Sequence, residues 1–267
     1  MTGCVHTAAL AVIEAGEIDA KLAATARLLD GWATGGLAAD AHAEPPRVIE
    51  RPGFPAALRL VPPAELPRRR PGSVEGRAAM LHAVAHIEFN AIHLAADAVY
   101  RFRGLPPEFY ADWIAVAGDE ARHFGLLRER LAEYGLVYGD LPAHGGLWDA
   151  AVRTADDLLA RLALVPRGLE ARGLDVTPPM IERFEQAGDT ASAAALRVIA
   201  ADEIGHVAAG SRWFRAICAQ RKLEPVPTFR DLMQTLFAGG LRGPFDLARR
   251  RAAGFTDEEI EWLEQLA

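Results

Sequence analysis

Cysteine is nearly absent from this sequence of 267 residues, where Cys4 and Cys218 are the whole supply. Two thiols without a CxxC spacing build neither a disulfide framework nor an iron–sulfur ligand set, and such usage fits a reduced chain. Long apolar runs are missing too, with nothing near the roughly 18 consecutive apolar residues of a membrane span. The N-terminus has no basic start, and Glu14, Glu17 and Asp19 interrupt its apolar stretch, so no signal peptide is read there. A cytoplasmic location is the expectation. Positive charge is not in excess either: 29 Lys and Arg against 36 Asp and Glu leave a net −7. That balance gives no general reason to expect nucleic acid or an anionic membrane as partner. What is present, 51% hydrophobic and 24% charged residues, describes an ordinary globular chain long enough for one large domain or a domain with an ordered extension.

Two short signatures organise the rest. Asp119-Glu120-Ala121-Arg122-His123 and Asp202-Glu203-Ile204-Gly205-His206 are both Glu-x-x-His with an aspartate in front. Each sits in a stretch of helical periodicity, and residues three apart share a helix face, so each motif presents a carboxylate beside an imidazole. Glu88 precedes Glu120 by 32 residues and Glu170 precedes Glu203 by 33. The order Glu, Glu-x-x-His, Glu, Glu-x-x-His is the ligand arrangement of ferritin-like dinuclear carboxylate bundles, in which four helices contribute inward-facing ligands. Charge agrees, because four glutamates balance two divalent cations, whereas four unpaired carboxylates could not be buried.

Read in order, residues 4 to about 34 form one broken or two short helices, interrupted at Gly16, with Asp19 as a cap for the second piece. Glu44 to Gly72 carries Pro45, Pro46, Pro52, Pro55, Pro62, Pro63, Pro67 and Pro71, a density that excludes regular helix. It reads as a strap over the bundle, since Phe54, Leu58, Leu60 and Val61 need burial, and Arg68, Arg69 and Arg70 read as a solvated run. The first bundle helix should span Ser73 to about Phe102, with Glu88 on the stripe of Leu81, Val84, Ile92, Ala95 and Val99. A second opens at Pro106-Pro107 and stops near Gly135. A third begins near Thr154, kinks at Pro166, carries Glu170 and is interrupted by Gly173 and Thr177-Pro178-Pro179, leaving Met180 to Gln186 as a separate short helix. A fourth, capped by Asp189 or Thr190, runs to about Ala219, and Gly205 and Gly210 in it point to close helix approach, room for a ligand or loose selection on helix propensity. The tail from Pro225 ends in a helix begun at Thr256-Asp257-Glu258-Glu259. The architecture expected is all-α: residues 1–72 as N-terminal helices and strap, 73–221 as a ferritin-like four-helix bundle, and 222–267 as a helical extension.

His82, His86 and His93 fall on one face of the first bundle helix, about 140–240° from Glu88, and are read as contacting solvent, the strap or a subunit partner. The glycine- and proline-punctuated stretch holding Tyr138, Asp140, His144 and Trp148 is read as a loop, either covering a site mouth or forming a structural corner. Asp119 and Asp202 sit about 100° around their helices from the ligands, either placed to orient a ligand histidine of a neighbouring helix or ordinary surface aspartates.

The segments His86-Ile87-Glu88-Phe89-Asn90-Ala91-Ile92-His93-Leu94, Pro142-Ala143-His144-Gly145-Gly146-Leu147-Trp148 and Asp202-Glu203-Ile204-Gly205-His206-Val207 resemble the bacterial ferritin-like family known as domain of unknown function 455. The resemblance extends to Gly243-Pro244-Phe245 and Ala253-Gly254-Phe255 and brings a fold without an activity. Leu169-Glu170-Ala171-Arg172 is also similar to the stretch around the third-helix ligand in di-iron hydroxylases that modify an isopentenylated adenosine in tRNA, which adds Arg172 as a residue near the site.

The expectation is a non-haem dinuclear centre held by Glu88, Glu120, His123, Glu170, Glu203 and His206, with two Fe ions, and Fe/Mn or Mn as alternatives. The favoured activity is an O2-dependent oxidase or hydroxylase with an unknown small-molecule substrate and an electron donor. Iron handling or peroxide detoxification, and a metal-stapled structural or binding bundle, are the alternatives. Net acidity disfavours tRNA, no membrane partner is expected, and the oligomeric state is monomer or small homo-oligomer.

Overall fold

Apolar residues spaced three and four apart become buried helix faces almost throughout this chain. The computed structural model describes residues 2–40, 43–66, 72–237 and 240–266. Pro67, the Arg68–Arg70 run and Pro71 lie outside the described residues. Among the described residues the regular structure is helical apart from a two-residue parallel pairing of β1 (Gly3–Cys4) with β2 (Leu37–Ala38) and a parallel bridge between Leu60 and Ala143. The chain divides into two compact units, Met1–Val152 and Arg153–Ala267. The boundary falls inside the span that the sequence reads as one bundle.

In the first unit, α1 (Val5–Glu14) and α2 (Ile18–Ala33) are separate helices broken around Gly16. Asp19 does not cap α2; it lies in the first turn, where a carboxylate also suits the helix dipole, and it pairs with Arg128. The core hairpin is α3 (Val74–Arg101) and α4 (Pro107–Glu133), packed along each other, with α1 against α3 and α2 against α4. The Ser73 hydroxyl caps α3 by accepting from Gly76 N at 3.0 Å. Pro107 occupies the first turn of α4, where a missing N–H costs nothing, and Gly135 just past its end has φ +73°.

The proline-rich segment is pinned to this hairpin by its backbone. Gly53 N donates to Ile13 O at 2.8 Å, Val61 N to Ala143 O at 2.8 Å, and Trp148 Nε1 to Ile49 O at 3.0 Å. Leu58 is buried, and Phe54 stacks on His86 and Phe89. Part of the stretch that reads as a loop is helical, because α5 (Gly146–Arg153) begins at Gly146 and buries Trp148, Ala150 and Ala151.

In the second unit the third long helix starts later than its sequence suggests. Asp157, not Thr154, caps α6 (Leu158–Leu164), while Thr154 Oγ1 instead accepts from Arg161 Nε at 2.8 Å. A π-helical turn, Val165–Glu170, follows at Pro166, and the chain continues directly into α7 (Ala171–Gln186). Pro178 and Pro179 lie inside α7 and do not break it. An interior proline costs about 3 kcal/mol or more, but Leu174, Thr177, Ile181 and Phe184 form an unbroken buried stripe on a helix that packs against α8 (Thr190–Arg221). Tertiary burial overrides the local breaker. Asp189 caps α8 through Ser192 N, and the helix ends at Lys222 with φ 57°. Then come α9 (Pro225–Leu236), α10 (Leu247–Ala252) and α11 (Asp257–Glu264), the last opened by a Thr256–Glu259 capping box.

Candidate metal centre

In the first unit, the stripe of Leu81, Val84, Ile92, Ala95 and Val99 is buried, and Glu88 is buried with it at 3% exposure. Facing it from α4 are Glu120 and His123, both at 0%. His123 Nδ1 lies 3.1 Å from Glu88 Oε2 and 3.4 Å from Glu120 Oε2. Each of the three side chains offers a ligand atom within 4.8 Å of the others, so this buried Glu/His cluster can hold a metal ion. Helix geometry explains it: the Glu-x-x-His spacing stacks Glu120 on His123, and α3 supplies the second carboxylate from across the hairpin.

The electrostatics are those of a site that attracts positive charge. Burial by itself disfavours the His123 imidazolium, but hydrogen bonds and charge from Glu120 and Glu88 outweigh it and lift its pKa to about 10. Two carboxylates converging on one imidazole nitrogen suit a divalent cation with mixed oxygen and nitrogen preference.

The second unit repeats the local motif. Glu203 and His206 on α8 are buried, with His206 Nδ1 3.5 Å from Glu203 Oε1, close to the Glu120–His123 spacing. Glu170 closes the π-helical turn, half-buried, and that turn packs against α8. Gly210 is where the two meet: a Cβ there would overlap Pro166, whereas one at Gly205 would meet nothing within 4 Å. A π turn widens the register of a helix by one residue and frequently accompanies a functional position.

The remaining sequence candidates lie around these groups in several ways. Asp119 is half-exposed and pairs with Arg122 at 3.0 Å, and Asp202 is half-buried on α8. Arg172 follows Glu170 on α7 and donates to Asp175 Oδ2 and to the carbonyls of Arg242 and Pro244. The loop residues build a corner of the first unit. Tyr138 is buried against Phe89 and Phe124, and Asp140 accepts from Val137 N. His144 Nδ1 accepts from Gly146 N, and Trp148 is buried on the strap.

The histidine face of α3 does not contact solvent, for His82, His86 and His93 are all buried. Strap and loop cover it. His82 Nε2 accepts from Gly139 N at 3.0 Å, His86 contacts Tyr138 Oη at 2.8 Å and His144 O at 2.9 Å, and His93 Nε2 lies 3.2 Å from Gly53 O. Sequence reasoning missed a further member, Lys21, which is fully buried, donates to Val12 O at 2.6 Å and lies over the Phe89 ring. The signal was available: Lys21 shares a stripe with Ala24, Thr25 and Leu28 at spacings of three, four and seven. Burial lowers the Lys21 pKa from 10.5 to about 7, and burial followed by the Lys21 charge holds His93 well below the ordinary histidine value.

Among the described residues no helix is long and apolar enough to cross a membrane. The sequence model of a family described as "Protein of unknown function (DUF455)" matches residues 14–261. A protein of Haemophilus influenzae, named only as uncharacterized, is 43% identical over 220 residues, covering 80% of this chain and 76% of its own. No solved structure matches the chain. With the family match spanning nearly its whole length, the chain belongs to the DUF455 family.

Proposed function

We propose that this protein is a ferritin-like four-helix bundle holding a dinuclear iron centre, and that it acts as an O2-dependent oxidase or hydroxylase on a small molecule. The observation that carries the reading is the buried convergence of Glu88 and Glu120 on His123 Nδ1. The second motif, Glu203 with His206 and a preceding Glu170, supplies the same donor types in the same order. Four carboxylates and two neutral imidazoles would balance two divalent ions.

The chain's own contribution can be stated residue by residue. Glu120 and His123 are held one helical turn apart on a rigid element, so their donor atoms keep their relative positions. Complete burial of both excludes bulk water from that side and strengthens every charge interaction there. His123 must give up the proton that Glu88 and Glu120 stabilise before its Nδ1 can ligate, so metal binding releases a proton. Bound to these residues, two iron ions would supply the redox chemistry of O2-dependent oxidation.

Anaerobic Fe(II) titration followed by O2 addition tests the reading. Expected are about two irons per chain and an optical change that Glu120→Ala and Glu203→Ala both abolish. Hundreds of irons per assembly would indicate iron storage instead. Tight binding without any redox change would leave a structural staple, and no tight binding would end the metal reading.

A further inference from the structure

In the second unit the segment after α9 turns back along the start of α7. Arg172 fastens that turn: its Nη1 donates to Pro244 O at 2.9 Å and to Arg242 O at 3.3 Å. Arg250 on α10 lies behind, fully buried, with Nε and Nη2 gripping Asp175 at 3.0 and 2.7 Å. Its guanidinium stacks on Phe245 at 5.0 Å, and its Nη1 is buried with no hydrogen-bond partner among the described residues. A cleft of about 400 Å³ opens here, lined by Gly168, Arg172, Phe237, Arg242, Phe245 and Arg250 among others, with no acidic side chain among the described residues of its wall. Asp175 pairs with both Arg250 and Arg172.

We propose that this cleft binds a small organic anion, a carboxylate or phosphate ester carried on a flat apolar body. The volume lies within the range of small-molecule sites, about 300–1,000 Å³. Guanidinium groups present paired donors that match the oxygens of either head group. Arg172 and the exposed Arg242 meet the anion at the mouth. Arg250, its charge matched by Asp175, keeps the buried Nη1 behind the cleft. The half-buried rings of Phe237 and Phe245 supply the apolar walls. A purely structural role for the arginines explains why the turn is fastened to α7. It explains neither the unmatched Nη1 of Arg250 nor an open volume edged by two half-buried rings. The proposal stands independently of the metal reading, since it uses none of the residues assigned to the metal.

The test is calorimetric titration of the full chain with phenyl phosphate, benzoate, inorganic phosphate and benzyl alcohol. Phenyl phosphate or benzoate should saturate at one per chain, inorganic phosphate should bind more weakly, and benzyl alcohol should not bind. Arg242→Ala and Arg172→Ala should each weaken the aromatic anion about tenfold, the loss expected for one charge-assisted hydrogen bond. Arg221→Ala, which removes an equal charge paired with Asp157 outside the cleft, should leave affinity unchanged. Phe245→Ala should weaken phenyl phosphate and spare inorganic phosphate. Absence of binding by both aromatic anions would overturn the proposal. So would wild-type affinity in Arg242→Ala, an exposed position whose variant folds even if Arg172→Ala does not, or phenyl phosphate binding no tighter than inorganic phosphate.

Discussion

His123 is squeezed between two buried carboxylates, and that contact makes single-residue consequences measurable without any metal. In metal-free protein the ring should titrate near 10, and Glu88→Gln should move it down toward the ordinary histidine value, as read by histidine NMR. Lys21 makes the opposite case, a cation buried without a carboxylate partner among the described residues. Its folded pKa of about 7 lies below the 10.5 of a free lysine, so between those values the unfolded chain holds a proton that the folded one has shed. Stability therefore rises with pH across that window, and the cost is fully present below about 7. Denaturant melts of wild type and Lys21→Met from pH 6 to 10 should show a difference that narrows as pH rises; a constant difference would mean that Lys21 does not titrate there. Glu88 was legible in the sequence as a carboxylate inside an apolar stripe. The histidine face was legible only as polar, because nothing local says that a proline-rich strap 40 residues upstream of His93 will cover it at Gly53.

At the scale of elements, the π-helical turn and its fastening decide how the second unit holds together. Arg167 in that turn is fully buried, with Nη2 2.6 Å from Glu259 Oε1 on α11 and its guanidinium 4.1–4.8 Å from the rings of Phe214, Phe229 and Phe255. Glu259→Gln leaves that cation without its charge partner and should destabilise the fold by about 3 kcal/mol, while Arg167→Met with Glu259→Met should recover most of the loss. Chemical denaturation of the single and the double variant beside wild type checks the pattern. Gly210→Ala forces a methyl into Pro166 and should cost about 1–3 kcal/mol. Gly205→Ala meets open space on the same helix and should gain up to about 1 kcal/mol. Helix starts at Ser73, Pro107 and Asp189 were readable because caps and prolines act locally. The continuity of α7 through Pro178 and Pro179 was not, since it depends on a buried stripe packing against α8, which the local sequence does not announce.

Across the whole molecule, one arrangement occurs twice: a carboxylate followed by a Glu-x-x-His, once in each compact unit. That repetition is a property of the sequence, and the burial of Glu120, His123, Glu203 and His206 gives it chemical weight. Two fully buried arginines of the second unit are each anchored by a carboxylate, Arg250 by Asp175 and Arg167 by Glu259. The central claim of the proposed function is that each Glu-x-x-His motif binds iron. Its most direct test is anomalous diffraction at the iron edge from crystals of the iron-loaded protein. The proposed function predicts iron at Glu88, Glu120 and His123 in the first unit and at Glu170, Glu203 and His206 in the second. A single peak held by one motif alone, or no peak at these residues, would contradict it.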